Sequence, residues 1–394
     1  MASPVDTSVK HFHFEMEGSP VLNGVAGAAI GLWDANLVTG WGLKSATSLV
    51  VSGGVATLSF AGAHGAMLDM VILVEGVTGA LTDLNGEQRV TALAAGQIKF
   101  ATAAPDGTAA GTVTFKVAPA GWEKVFSFTN GGVYRSLHPE ATKKYMRIDD
   151  AGTTSFRIRG YEIMSDANTG TGLFPLDGQI NGGGWCNKSN VANTNPVKWL
   201  MVADARGGYL SIAGYSATSP ATESGRTIFF GDFQPFRTGG DPHAFALGCG
   251  ATGAYSEASG VCDETASINQ FTPRAFHGLG GSVPMASIPE SGNTIKSGAD
   301  ATFGKFPSEV DGGMVLSRRF ISLAGQAPRG VFPGLYTIPQ TEVGMSIAPR
   351  SILLGAGVLA GRKLIAVGCG GGTFAYPNTS LGISMIDITG PWQR

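Results

Sequence analysis

The sequence predicts a mainly β protein with antiparallel, β-sandwich-like domains, long loops and little helix. Three observations predict this fold class. Apolar runs with alternating polarity recur in pairs, turns rich in glycine or aspartate separate the members of each pair, and 59 of the 394 residues are glycine. Charged residues make up only 14% of the chain, against about 25% in an average domain. The chain therefore has much surface to bury, in its own core or against other subunits.

One stretch near the N-terminus favours helix. The residues "NGVAGAAIGLWDANLVTGWG" place Val25, Ile30, Trp33 and Leu37 at roughly helical spacing before a glycine that suits a helix end. Glycines inside the stretch lower its helix propensity. We therefore expect one short helix near residues 22–40.

Strands and turns are predicted for the rest of the N-terminal part. "SLVVSGGVATLSF" has apolar β-branched residues on both sides of glycines, and "AAGQIKFATAAPDGTAAGTVTFKV" has two strand-like runs around "PDG". At residues 116–124, "KVAPAGWEK" interrupts this pattern. We therefore predict a small β domain over 1–120, a candidate attachment module, and a larger β-sandwich-like domain over 121–394. A piece that begins after Lys116 is expected to fold by itself.

Hairpin patterns dominate the larger domain. In "KYMRIDDAGTTSFRIRGYE", apolar residues alternate with arginine and aspartate on both sides of a "DAGT" turn. "WLMVADARGGYLSIAGY" repeats this pattern, and Gly207 and Gly208 suit the positive φ of a hairpin turn. Polar segments such as "YSATSPATESG" lack periodicity and are predicted to be long loops.

Charge and hydropathy exclude several classes of function. The net charge of −2 supplies no basic field for phosphates, so nucleic acid is not an expected partner. The N-terminus lacks the cationic and apolar segments of a secretory signal, and the longest apolar run, "SILLGAGVLAG", is too short to insert across a membrane. The four cysteines are expected to be reduced, buried, apolar side chains: Cys186, Cys249, Cys262 and Cys369.

No cofactor or metal is expected. "GCGATG" at 248–253 fits the spacing of a nucleotide-binding turn, but no strand–turn–helix pattern surrounds it. His243, Cys249 and Cys262 are close in sequence, although their spacing matches no common zinc site. His11 and His13 are predicted to project from the solvent-exposed face of a strand, with Phe12 and Phe14 on the opposite face.

No catalytic residue is assigned, and the chain is not expected to be an enzyme. A nucleophile elbow is absent from the sequence. Five carboxylates could supply the acid pair that a glycosidase needs, although turns also favour aspartate: Asp149, Asp150, Glu162, Asp232 and Asp241. We therefore favour structural aspartates and keep a carboxylate pair as an alternative.

The segment "TIFFGDFQPFRTGGDPHAFALGCG", residues 227–250, is unusually aromatic. Its phenylalanines cannot all lie on one face of a strand, so we predict that they pack on both sides of a chain bent at Gly231 and Pro235: Phe229, Phe230, Phe233 and Phe236. Asp232 and Asp241 are expected to fix turns, with Arg237 as the ion-pair partner of one of them.

Most of this segment, "TIFFGDFQPFRTGGDPHAFALG", resembles virion proteins of tailed bacteriophages that are associated with the tail or baseplate. "VYRSLHPEATKKYMRIDDAGTTSFRIRGYEIMSDANTGTGLFP", "RGVFPGLYTIPQ" and "IDITGPWQR" are similar to other parts of the same family. The resemblance implies a structural subunit, made in the host bacterial cytoplasm and placed in the virion tail. Its implied partners are copies of itself and other tail or baseplate proteins, and no catalytic motif defines the family.

Alternative functions remain open at this stage. The loops of the larger domain could hold a host receptor or surface glycan, with Trp185, Tyr209, Tyr215 or Tyr255 as stacking platforms. A tail-associated polysaccharide hydrolase and a capsid decoration protein are the other two alternatives.

Overall fold

The computed structural model describes residues 3–251, 260–262, 268–290, 298–323, 326–370 and 372–394. The prediction of a mainly β, antiparallel fold with little helix is confirmed, since every strand pair in its sheets is antiparallel. Strand β1 (Lys10–His13) is followed by helix α1 (Ala28–Trp33), which continues into a π-helical turn, and α2 (Val343–Ser346) is a single turn. Among the described residues, the π-helical and 3₁₀ segments are Asp34–Thr39, Gly79–Leu84, Gly214–Ala217, Ala301–Phe303 and Gly357–Leu359.

Residues 41–117 form a small closed barrel. Its strands are β2 (Trp41–Ser52), β3 (Val55–Phe60), β4 (Val71–Glu75), β5 (Gly86–Ala94), β6 (Gln97–Ala101), β7 (Gly107–Thr108) and β8 (Thr114–Val117). Six strands close in the order β2-β3-β6-β5-β4-β8, because β8 pairs again with the start of β2, while β7 pairs with the end of β2 at Val50 and Val51. Alternate residues such as Leu58 and Phe100 fill the interior, as in other small barrels.

A five-stranded sheet follows the barrel. Its part of the chain contains β9 (Trp122–Phe128), β10 (Gly131–Ser136), β11 (Tyr145–Asp149), β12 (Ser155–Tyr161), a two-stranded ribbon of β13 (Ile163–Met164) and β14 (Gly170–Thr171), and β15 (Gly184–Asn187). The sheet order is β15-β12-β11-β10-β9. The predicted hairpin of β11 and β12 is present, with Ile148 opposite Ile158 on the buried face and Arg147 opposite Arg159 on the other.

The rest of the chain forms a 13-stranded sheet that curves into a half-barrel. Beginning with β1, it runs β1-β16-β17-β18-β20-β21-β22-β23-β24-β27-β26-β25, and β19 pairs with β24. Its remaining strands are β16 (Lys198–Asp204), β17 (Gly207–Ala213), β18 (Arg226–Asp232), β19 (Gln234–Pro235), β20 (Phe245–Gly248), β21 (Ile268–Thr272), β22 (Val283–Pro289), β23 (Ser317–Ser322), β24 (Pro328–Thr337), β25 (Ile352–Leu354), β26 (Lys363–Cys369) and β27 (Gly382–Asp387).

The central strands of the large sheet are buried on both faces. One face packs against α1 and the five-stranded sheet, with Trp33 and Phe230 in that core. The other face encloses a second core that contains Phe229 and Phe332. Neighbours in a strand point to opposite faces, so Phe229 and Phe230 enter different cores. This burial explains the continuous apolar run of β18, which an exposed sheet face would not need.

The first 40 residues belong mainly to the larger body, in its sheet and its core. β1 pairs with β16, and α1 lies in the core between the large sheet and the five-stranded sheet. The predicted boundary near residue 120 lies just after the last barrel strand, but the barrel begins at Trp41. Independent folding of a piece after Lys116 stays a prediction, and such a piece lacks these core segments.

Two local expectations were wrong. His11 and His13 do not face solvent: both are buried, because β1 is covered on both faces. Gly207 and Gly208 do not form the turn of the β16–β17 hairpin, since they lie in β17 and pair with Asp204 and Ala203. A side chain at either glycine would collide with the backbone of an adjacent strand, which explains the choice of residue.

Candidate functional site

The candidate site lies beside the aromatic segment that follows β18. As predicted, most of its phenylalanines pack in the interior: Phe229, Phe230 and Phe233 are buried. Phe236 differs, because half of its surface is exposed and its ring meets the edge of Phe320 at 5.6 Å. Chain bending at Gly231, which has φ of 108°, and at Pro235 directs this last phenylalanine out of the core.

Asp232 and Asp241 fix the chain on both sides of Phe236. Asp232 accepts hydrogen bonds from the Thr142 hydroxyl at 2.6 Å and from Arg206 Nε at 3.1 Å. Asp241 accepts two from Arg329, at 2.8 and 3.2 Å, and one from the backbone N–H of His243 at 2.9 Å. The two carboxylates thus tie the segment to the loop after β10 and to β24.

The expected ion pair between Arg237 and one of these aspartates is not formed. The guanidinium instead lies 5.5 Å from the centre of the Phe276 ring and donates a hydrogen bond to the Phe276 carbonyl at 3.3 Å. Within the described part of the chain, Arg237 has no carboxylate partner. An exposed arginine stacked on an exposed aromatic ring therefore stands at the centre of this surface.

Two clefts meet at Arg237 and Asp241, which line both of them. The first is apolar, has a volume of about 710 Å³ and is lined by Phe236, Phe276, Val283, Met285 and Leu323. The second is polar, has a volume of about 750 Å³ and is lined by Glu140, Thr142, Lys144 and Arg206. Together they form an amphipathic surface, hereafter the Arg237 surface, of the size that small-molecule and peptide sites have.

Charges below this surface are mutually compensated. Arg274, after β21, pairs with Glu162, after β12, and so joins the large sheet to the five-stranded sheet. Burial lowers the pKa of Lys144, which also lies near Glu162 and Arg274. Burial lowers the pKa of His243 as well, which favours the neutral imidazole. Arg237 is exposed, and an incoming group can reach its guanidinium without breaking an ion pair to any described residue.

The five carboxylates considered for catalysis are all engaged by cations. Asp149 pairs with Arg147 at 3.2 Å, and Asp150 is in contact with Lys188. Glu162, Asp232 and Asp241 pair with Arg274, Arg206 and Arg329. These contacts are those of structural carboxylates, and a catalytic role for any of them stays untested.

The proposed stacking platforms have different environments. Tyr209 is buried and its hydroxyl donates to the Pro333 carbonyl at 2.7 Å, so it is not a surface platform. Trp185 is half-buried and covered by Arg157, whose guanidinium lies 3.8 Å from the ring centre. Tyr215 is half-buried, and Tyr255 lies outside the described residues. Phe276 is an exposed ring that sequence reasoning missed, because its contact with Arg237 cannot be read from the sequence.

Other sequence-level expectations concern metals, cysteines and membranes. In the described ranges, no group of three or more His, Cys, Asp or Glu side chains is placed to hold a metal ion. All four cysteines are buried thiols, as predicted, whereas the glycine motif at 248–253 extends beyond the described residues. Among the described helices, none is long and apolar enough to cross a membrane.

The chain matches no protein-family model and no curated protein.

Proposed function

We propose that this chain is a structural subunit of a tailed-phage virion, assembled as an oligomer on the tail, the baseplate or an attached fibre. The exposed apolar surface supports this proposal best. Phe236, Phe276 and Leu323 line one open cleft, and Leu354 and Val358 are exposed near the β25 edge of the large sheet. Single exposed apolar residues are common, but apolar clefts of this kind are typical of surfaces that bind a neighbour.

Composition supports the same role. Only 14% of the residues are charged, so the chain has few charged side chains to cover its surface. Interfaces between subunits are likewise depleted in charge and enriched in aromatic residues. The Arg237 surface combines an arginine with two half-exposed phenylalanines, Phe236 and Phe276. Arginine and aromatic residues are typical of binding hot spots in interfaces. An oligomer would bury these groups away from water.

Immunogold imaging of purified phage particles tests this proposal. Serum raised against the full chain is expected to label the tail or its tip on intact particles. Label on the head would contradict the tail position and indicate a decoration protein. Absence of label from both intact and disrupted particles would contradict the virion role itself.

Binding of a host glycan or receptor is a second candidate, favoured by the exposed Arg237–Phe276 stack between a polar and an apolar cleft. Aromatic rings hold sugar faces and an arginine holds carboxylate or hydroxyl groups. Adhesion of the isolated protein to host cells is expected to fall in a Phe276→Ala variant. The matched control is Arg318→Ala, since Arg318 lies by Phe320 but is already paired with Glu290. Equal adhesion of both variants and wild type would contradict this candidate.

A further inference from the structure

A lysine and an aspartate meet in the core between α1 and the five-stranded sheet. Asp150 directly follows β11, Lys188 directly follows β15, and both side chains are fully buried. Lys188 Nζ contacts Asp150 Oδ1 and also donates a hydrogen bond to the Val25 carbonyl at 2.7 Å. Asp150 Oδ2 accepts a hydrogen bond from the Ala29 backbone N–H at 2.7 Å. The pair is therefore enclosed by three segments of the chain.

The ionised form of this pair is costly in such a place. Removing a carboxylate and an ammonium from water costs several kcal/mol per ion, of which their attraction returns only part. Burial raises the pKa of Asp150 to about 6 and lowers the pKa of Lys188, so both groups are shifted toward their neutral forms. A neutral amine is a nucleophile and a neutral carboxylic acid is an acylating partner, whereas the two ions do not react with each other.

We propose that Lys188 and Asp150 are joined by an intramolecular amide bond. The unprotonated Nζ attacks Cγ of the protonated Asp150 carboxyl group, and a C–N bond forms. The C–Oδ1 bond then breaks, and Oδ1, which carries the carboxyl proton, takes one proton from the amine and leaves as water. Oδ2 remains as the amide oxygen. The reaction is a condensation without change of oxidation state, so it needs no further reactant.

The contacts around the pair fit both the reaction and its product. The Ala29 N–H points at Oδ2, the atom on which negative charge develops when the amine attacks. After condensation this N–H still has an acceptor, and the remaining N–H of Nζ can still donate to the Val25 carbonyl. No buried polar atom loses its partner, while two buried charges disappear.

Proximity lowers the barrier to this condensation. Groups held in contact react with effective concentrations of about 10⁵ M or more, and a site closed to water does not favour hydrolysis. The bond would connect the end of β11 to the end of β15 and enclose β12 between them. This inference does not depend on the virion role, because it concerns only contacts within one chain.

Intact mass of the purified full chain tests the bond. Wild type is expected to be lighter than its sequence by one water molecule. Lys188→Arg keeps the positive charge but removes the primary amine, so it is expected to have the full sequence mass. The matched control is Lys124→Arg, because Lys124 forms a partly exposed pair with Asp34 at 2.9 Å and this variant should keep the water loss.

Peptide mapping of wild type locates the bond and does not rely on the folding of any variant. Trypsin is expected not to cleave after Lys188, and the fragment 148–157 should remain attached to the fragment 160–198. Cleavage after Lys188 together with the full sequence mass would overturn the proposal. A water loss found in an unlinked peptide would also overturn it, since that result indicates cyclisation of an aspartate elsewhere.

Discussion

Asp241 and Asp232 hold their loops through partners that are distant in sequence. Asp241 accepts hydrogen bonds from the His243 backbone N–H and from the Arg329 guanidinium. Asp232 accepts hydrogen bonds from the Thr142 backbone N–H and from the Arg206 guanidinium. Such carboxylates hold a loop in one conformation by hydrogen bonds that, in a helix or sheet, the backbone would supply. The conformation of the Arg237 surface therefore depends on two buried charges.

Replacing Asp241 with Asn is expected to lower the free energy of unfolding by about 3 kcal/mol, because it leaves the largely buried Arg329 guanidinium without its counter-charge. Urea unfolding followed by tryptophan fluorescence measures this change. Glu290→Gln is the control, since Glu290 and Arg318 form an exposed pair that is worth less than about 1 kcal/mol. Equal losses in the two variants would contradict the structural role given to Asp241.

His11 makes the protein sensitive to acid. Burial, the adjacent His13 and the Arg89 guanidinium lower the pKa of His11 to about 3, from an ordinary value of 6.5. As the pH falls below 6.5, the unfolded chain binds a proton that the folded protein refuses, so stability decreases until the folded pKa is reached. For His11 this loss amounts to about 2 kcal/mol at about pH 5.

A His11→Gln variant is therefore expected to lose less stability than wild type between pH 7 and about pH 5. The other titrating groups are present in both proteins, so their contributions cancel from the difference. Melting temperatures at the two pH values measure the effect, and the exposed His277→Gln variant is the control. If wild type and His11→Gln lost stability equally, His11 would not be buried in its neutral form.

At the scale of elements, sequence patterns found those structures whose determinants are local. The β11–β12 hairpin was predictable because its alternating residues and its turn lie within one short stretch. The burial of His11 was not, because it depends on what covers β1. The partner of Asp241 was missed for a similar reason: Arg329 is 88 residues away. Likewise, Phe276 and Arg237 come together only through the order of strands in the large sheet.

Helix α1 shows how packing overrides weak local preference. Its one internal glycine, Gly31, lowers helix propensity, but Trp33, Leu32 and Ala29 are buried in the core and hold the helix in place. Gly31 is exposed, and a Cβ at this position would meet no neighbouring atom. The helix therefore carries one glycine that packing does not require.

Replacing Gly31 with Ala is expected to raise the free energy of unfolding by about 0.5–1 kcal/mol, since alanine loses less backbone entropy in a helix. Gly24→Ala is the opposite control, because its Cβ would collide with the Val191 carbonyl oxygen. Thermal unfolding of the two variants measures both effects. Destabilisation by Gly31→Ala would show that α1 does not have the helical backbone described here.

At the scale of the whole molecule, the barrel is an insertion into the larger body. Its first and last strands pair at Trp41 and Val117, so the chain leaves and re-enters the body at adjacent points. The body continues directly across the insertion, because the Ala120 N–H donates to the Asn36 carbonyl at 2.8 Å. Insertions with adjacent ends are tolerated because the host fold does not need them for its connectivity.

Arg89 of the barrel strand β5 fastens the insertion to the body. Its guanidinium donates to the carbonyls of Val9 at 2.9 Å and Ile388 at 3.0 Å, and Lys363 pairs with Asp69 at 2.5 Å. These contacts join segments from both ends of the sequence to the barrel. The barrel therefore contributes to stability, and Trp41, Met70 and Val117 join a core of the body, whereas residues such as Leu58 and Phe100 form the separate core of the barrel.

Excision of the barrel distinguishes two possible domain boundaries. The sequence predicts a boundary near residue 120, whereas the contacts place the first 40 residues with the body. A chain in which residues 42–116 are replaced by a short linker of about three glycine and serine residues keeps β1 and α1. It is expected to unfold cooperatively, with lower stability than the full chain because the Arg89 contacts are lost.

A piece comprising 117–394 lacks β1 and α1 and leaves the core around Phe230 open, so it is expected not to fold. Near-ultraviolet circular dichroism and urea unfolding of the two proteins compare them directly. Cooperative folding of 117–394 by itself would restore the boundary at residue 120, whereas folding of the excised chain alone would show that the first 40 residues belong to the body.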